Sequence, residues 1–284
     1  MKPLHAERRS QIRRAFPIAV GSVDVRGLLT RRAFVGGFCS ALAGAGAMLP
    51  IATARAIYPD RPVRIVVPFL PGFGASTEPP GYSWSAGELA ADVARFLDAL
   101  KIRTCHLIGA KYGGSVCMQL ASEYPYRVDS LCLFGSPVRG SGSANADSIR
   151  TKGVRQWAAE TMRARLGSSA SAAQIRWWTE ELMGKANPRA ALGASSARID
   201  MELEDKLSRI TAPTLIVTTK ESGLQSVEAV ERYAARIPSA RVIVLPGDSF
   251  HIAAVEPELC AQHALRFMAE VSRPKQTAAS REVG

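Results

Sequence analysis

The chain has five cysteines, Cys39, Cys105, Cys117, Cys132 and Cys260, but no pair in CxxC spacing. Without such a pair a thiolate metal site is not expected. The apolar neighbours of Cys105 and Cys132, in TCHLIG and SLCLFG, instead mark buried free thiols, and Cys117 and Cys260 read the same way. A surplus of Gly, Pro or charge is also missing, so the chain is not expected to stay unfolded. Its 284 residues, 47% apolar, are enough to bury one full core. Long apolar runs are scarce too. The stretch from Val35 to Ile51 is rich in Gly and Ala and is broken by Pro50, which argues against a stable membrane span. Finally, the formal charge of +11 is not spread over the chain. Residues 1–56 carry nine Lys/Arg against two acids, or +7, which leaves +4 for the other 228 residues. A balance that small removes the reason to expect a nucleic-acid partner.

The basic segment has an internal order. In TRRAFVGGFCSALAGAGAMLPIATARA, Arg31 and Arg32 precede a modestly apolar stretch and then Ala54-Arg55-Ala56, a small-x-small site for a signal peptidase. Paired arginines followed by Phe34 and Val35 resemble the twin-arginine export signal. The expectation is a leader over 1–56, cleaved after Ala56, and a periplasmic or exported protein. If the leader is not functional the protein stays cytoplasmic.

Beyond the leader, strand-like and helix-like segments alternate, which argues for a mostly parallel sheet with helices on both faces. Strands are expected at VRIVVPF (63–69), CHLIGA (105–110), VDSLCLFG (128–135), PTLIVTT (213–219) and ARVIVLPG (240–247). The spacing of Leu89, Val93, Phe96, Leu97 and Leu100 predicts a helix over 86–102, and GSVCMQLASEYP predicts a second. Between the third and fourth strands lie about seventy residues without a strand signal, where IRTKGVRQWAAETMRARL and SAAQIRWWTEELMG read as helices. Placed at the edge where strand ends gather, such an insertion would cover a cleft. Its Trp157, Trp177 and Trp178 read as helix-packing aromatics or as the lining of an apolar pocket.

Three segments carry a resemblance: LPGFGASTEPPGYSWSAGELAADVARFLDALKI, HLIGAKYGGSVCMQLASEYPYRVDSLCLFGSP and GDSFHIAAVEPE. In order and spacing, over about 63–270, they resemble the α/β-hydrolase superfamily of the capped, cofactor-free type. The resemblance implies an α/β-hydrolase fold and a helical cap insertion. The domains expected are a leader (1–56), a first core part (57–137), the cap (138–208), a second core part (209–272) and a disordered tail (273–284). The first strands of the family, including a His-Gly turn that supplies part of the oxyanion hole, have no counterpart here. The sheet should therefore have five or six members, with VRIVVPF as an exposed edge that favours a homodimer. The leader and YPDRPVRIVVPF also resemble the start of mature solute-binding proteins of tripartite tricarboxylate transporters, so a non-enzymatic binding protein is the competing class.

In the hydrolase family a G-x-S-x-G turn presents the nucleophile on a strained strand-to-helix bend. Here the turn is Gly109-Ala110-Lys111-Tyr112-Gly113, and a lysine stands in the serine's place. Ser115 lies a full turn into the helix and faces elsewhere. By the same resemblance His251 is the base, and the backbone N–H of Tyr112 contributes to the oxyanion hole. The acid expected after TLIVTT is displaced or lost: Glu221 and Ser222 stand in the corresponding loop, and Asp248 is a weaker candidate. His106, inside a strand, reads as structural.

The resemblance implies a hydrolase of small, largely apolar esters or carbonyl compounds, and Lys111 argues against ordinary serine hydrolysis. Two readings are left open. A neutral Lys111 beside His251 would form a Schiff base or act as a general base. A charged Lys111, paired with Glu221 or reaching solvent, would leave a degenerate, small-molecule-binding pocket. No cofactor and no metal are implied.

Overall fold

The computed structural model describes residues 18–23 and 63–272. The twin arginines, the Ala54–Ala56 site, Cys39 and the C-terminal tail from 273 lie outside the described residues. Within the segment expected to be a leader, Ile18–Val23 forms a strand (β1) that pairs with Val63–Pro68 (β2) in a two-stranded sheet. Residues Ile18–Val67 form a unit of their own. The strand VRIVVPF is therefore not an edge of the main sheet, as expected, but the partner of β1. Ile65 and Val67 on it are 40% and 59% exposed.

The larger unit is built on four strands: Cys105–Ala110 (β3), Val128–Phe134 (β4), Thr214–Thr219 (β5) and Ala240–Leu245 (β6). They run parallel in the order β3-β4-β5-β6. Four members, not five or six, make this sheet. The central strands β4 and β5 are near-continuous apolar runs because both of their faces are covered. Leu131, Leu133 and Ile216 point into a cluster with Leu89, Met118 and Leu120 from helices Ala86–Ala99 (α1) and Tyr112–Glu123 (α2). The alternate residues Cys132, Phe134, Leu215 and Val217 are equally buried on the opposite face. The C-terminal helix packs against β4 and β5.

Helix α1 begins at Ser85, whose side chain accepts from the Glu88 N–H, and ends at Ala99, short of the expected Ile102. It stops there because Lys101 takes φ 57°, where the helix cannot continue.

The insertion is helical but not in two clean pieces. Helix Ala144–Leu166 (α3) is broken at Gly153, where φ is 80°. Helix Ala172–Trp177 (α4) starts with a Ser171–Gln174 capping box and runs on into a π-turn at Trp178–Leu182 and a 3₁₀ turn at Met183–Lys185. Pro188–Ser196 (α5) is capped by Asn187. Trp157 is buried within this cap, packed with Ile149, Val154, Ala158 and Ala191, whereas Trp177 is 53% exposed. Helices Val227–Ala234 (α6), Ile252–Val255 (α7) and Pro257–Val271 (α8) complete the unit.

All four cysteines among the described residues are free, with Cys132 and Cys260 buried and Cys105 and Cys117 half-buried. Among the described residues no helix is long and apolar enough to cross a membrane, and no group of His, Cys, Asp and Glu is placed to hold a metal.

Candidate active site

The site begins with a backbone constraint. Between β3 and α2 the chain turns on one residue, Lys111, at φ 54° and ψ −129°. For a residue with a Cβ this costs on the order of 1–3 kcal/mol and persists only where the surroundings enforce it. They do so here. The Lys111 N–H donates to the Phe134 carbonyl of β4 at 3.0 Å, and the Lys111 carbonyl accepts from Gly114 at 3.0 Å and Ser115 at 3.3 Å. The turn also needs strand and helix to touch. A Cβ at Gly109 would lie 2.6 Å from the Gly114 Cα, and one at Gly114 would lie 1.8 Å from the Ser136 Oγ. Gly113, the second glycine of the expected motif, has open space around it, so Gly114 carries the steric requirement. Ser115 is unavailable, since its hydroxyl donates to the Pro137 carbonyl at 2.6 Å.

Helix α2 starts immediately after the turn, two residues earlier than the sequence pattern suggests. Tyr112 is its first residue, where a backbone N–H has no intrahelical acceptor. That N–H is an oxyanion donor the turn offers. The Tyr112 hydroxyl is committed to the Trp84 carbonyl.

The Lys111 side chain runs to a buried end. Its Nζ has no hydrogen-bond partner among the described residues and lies 4.3 Å from the centre of the Phe250 ring. Burial, followed by the charges of Arg165 and Arg198, pulls the amine down to about 6, so at neutral pH it is largely uncharged. His251 also neighbours Phe250, with ring centres 5.5 Å apart, and meets Trp178 edge-on at 5.8 Å. Its backbone N–H is held by the Arg165 carbonyl and the Ser249 Oγ, both at 3.2 Å, while its Nε2 is buried without a partner. Burial first, then Lys111, Arg165 and Arg198, lower the imidazole to about 3, so it too is neutral.

The acid of a triad is not in place. Glu221 is exposed at the end of β5, where its backbone N–H donates to the Gly247 carbonyl; no hydrogen bond or ion pair among the described residues links it to Lys111 or His251. Ser222 accepts from the Leu224 N–H. Asp248 is tied to Ser168, accepting from its backbone N–H at 2.9 Å and its hydroxyl at 3.2 Å, and these bonds hold the carboxyl below its usual range. His106 bonds the Ser130 Oγ at 2.8 Å, a structural pairing.

A cavity of about 990 Å³ opens onto this turn, lined by Lys111, Tyr112 and Phe250 from the core and by Arg165 and Arg198 from the cap side. None of the cap tryptophans lines this cavity. Five arginines line the cavity, Arg139, Arg165, Arg198, Arg232 and Arg236, against a single acid, Glu204. Sequence reasoning missed Arg165 and Arg198. A weak signal existed for Arg165, which continues the i, i+4, i+8 row of Trp157 and Thr161 along α3. Arg198 lies past the end of α5 in a turn without periodicity.

Set beside known proteins, these features agree with the architecture. The family described as alpha/beta hydrolase fold matches residues 38–176, and the chain has the α/β-hydrolase fold. A protein of Variovorax paradoxus named "Putative carbamate hydrolase RutD" is 28% identical over 72% of this chain and 80% of its own. A pimeloyl-[acyl-carrier protein] methyl ester esterase of Aeromonas hydrophila is 29% identical over 62% of this chain and 73% of its own. The crystal structure of a hydrolase from Pseudomonas aeruginosa covers 72% of this chain and 79% of its own, at 26% identity and a TM-score of 0.64. A thermophilic esterase from Thermogutta terrifontis covers 74% and 81%, at 24% identity and a TM-score of 0.66, and is similar in fold.

Proposed function

We propose that this hydrolase-like chain acts on small carbonyl compounds through the amine of Lys111 and not through a serine. The observation that carries the reading is a buried Nζ with no partner on the strained turn that the family resemblance gives to the nucleophile. A neutral amine in that position adds to a carbonyl carbon. The C–N bond forms as the C=O π bond breaks. A proton then passes from nitrogen to oxygen, with His251 Nε2, the other buried side-chain nitrogen without a partner among the described residues, as the carrier, and loss of water leaves a C=N bond. With an ester the same attack would end in a stable amide on Lys111, and with a carbamate in a stable urea. Turnover through a covalent adduct therefore selects an aldehyde or ketone.

The hydrolase and esterase relatives favour a second reading, in which the amine takes a proton from water and the water attacks an ester. A base near 6 suits that task at neutral pH.

Borohydride reduction in the presence of butan-2-one separates the two. The first reading expects a stable mass increment on the peptide containing Lys111, absent from Lys111→Ala. The second expects no adduct, but p-nitrophenyl acetate hydrolysis that Lys111→Ala abolishes. If neither appears, Lys111 is a relic. The basic leader and Ala54-Arg55-Ala56 support export by a twin-arginine route, for which N-terminal sequencing of exported protein should start at Ile57.

A further inference from the structure

The cavity beside Lys111 contains two cations with no counter-charge. Arg165 stacks over Trp157 at 4.6 Å, with its Nε donating to the Thr161 Oγ1 at 3.1 Å and one Nη2 hydrogen to the Asn145 Oδ1 at 3.0 Å. Arg198 stacks over Tyr112 at 5.2 Å, with its Nε donating to the Ala194 carbonyl at 3.0 Å and one Nη2 hydrogen to the Ser195 Oγ at 3.3 Å. A guanidinium carries five N–H donors. Two are used in each case, so three on each arginine have no protein acceptor among the described residues. Neither arginine has an Asp or Glu within ion-pair distance, unlike Arg95, Arg127, Arg139, Arg150, Arg236 and Arg241.

Two forked donors, each braced by an aromatic face and by two hydrogen bonds, are pre-set for a planar anion. Their mutual repulsion and their desolvation are uncompensated until such an anion is present. Both line the cavity that Lys111 enters.

We infer that the cavity takes a carboxylate-bearing carbonyl compound, a short oxo acid, with its carboxylate held by Arg165 and Arg198 and its carbonyl presented to Lys111. The inference rests on the amine chemistry proposed above for its second half only; the anion site stands on the arginines alone. It also replaces the apolar substrate that the family resemblance suggests. Carboxylate binding offsets part of the arginine charge felt by Lys111, but burial is the larger cause of the amine's neutrality and a bound ligand increases it.

The test compares 4-oxopentanoate with its methyl ester, which has the same ketone and no charge. Borohydride labelling is followed at pH 9, where the amine is neutral whether or not the arginines are present. Wild type should be half-labelled at a concentration of the acid at least tenfold below that of the ester. Arg165→Gln and Arg198→Gln should each remove most of that preference while changing ester labelling less than about threefold. Arg165→Lys, which keeps the charge and loses the fork, should fall between and guards against a variant that fails to fold. Equal labelling by acid and ester, or a preference that survives both Gln variants, overturns the inference and leaves the amine chemistry standing. If neither compound labels the protein, the amine reading fails, and calorimetry of 4-oxopentanoate with Lys111→Ala decides the rest. Binding that Arg198→Gln weakens tenfold upholds the anion site, and no binding overturns it.

Discussion

The two ends of the cavity have similar residues and opposite physics. At the outer end Arg139 and Arg236 share Glu204, with Arg139 at 2.5 Å and Arg236 at 3.5 Å, and Arg139 is 65% exposed. At the inner end Arg165, Arg198 and Lys111 line the cavity without a carboxylate in ion-pair range among the described residues, and burial depresses all three. The outer pairs are solvated and worth little to stability. Keeping Arg165 and Arg198 buried without a counter-charge, and Lys111 buried as a neutral amine, costs stability, an arrangement that clusters at ligand-binding and catalytic sites. Partnering, more than the number of basic residues, is what separates the two ends of this cavity.

The largest expected effect at the inner end is loss of borohydride labelling in Lys111→Ala, a drop of more than a hundredfold measured by intact mass. The same end should show a stability cost that the outer end lacks. Because the folded amine titrates near 6 and the unfolded one near 10.5, the unfolded chain holds the extra proton between those values, and stability rises with pH across that window. Lys111→Met should therefore stabilise the protein at pH 7, by on the order of 2–4 kcal/mol in denaturant unfolding, with the gain shrinking towards pH 10. Arg139→Gln should change it by well under 1 kcal/mol.

The turn that holds the amine gives the next effect. Gly109→Ala forces β3 and α2 apart, since the added Cβ meets the Gly114 Cα at 2.6 Å, and should cost about 2–3 kcal/mol. Gly113→Ala, in open space, should be nearly neutral. A smaller effect concerns pH. Labelling should rise with pH through about 6 in wild type, as the amine loses its proton, and the midpoint should move up in Arg198→Gln, where one repelling charge is gone. An unchanged midpoint would show that the inner cations do not sense one another. Smallest of all, Glu221→Gln should leave labelling within twofold of wild type, since that carboxylate is exposed and joined neither to Lys111 nor to His251 by any described bond.

The strands and the turn were legible in the sequence because they rest on local chemistry. CHLIGA forms a strand over 105–110 as expected, and the glycine-rich end of that strand announces a close approach to the helix. Motif spacing marks Gly113 as the second glycine of the turn but says nothing of what each glycine touches, and it is Gly114 that packs against its neighbours. The pairing of VRIVVPF with Ile18–Val23 depends on contacts across forty residues, so no local period could reveal it. Lys111 and His251 were found through the resemblance. Glu221 was placed by loop position alone, and in the fold its side chain is exposed. Arg165 and Arg198 escaped because a charged residue on a cap helix or in a turn reads as solvated until tertiary structure puts it in a cavity.

The neutral amine is the centre of this account, and its ionisation can be observed directly. In protein labelled with ¹³Cε-lysine, the Lys111 resonance, assigned by its loss in Lys111→Met, should titrate with a midpoint near 6. A Lys111 midpoint near 10 would mean a charged, solvated side chain, and the amine chemistry proposed for this site would be contradicted.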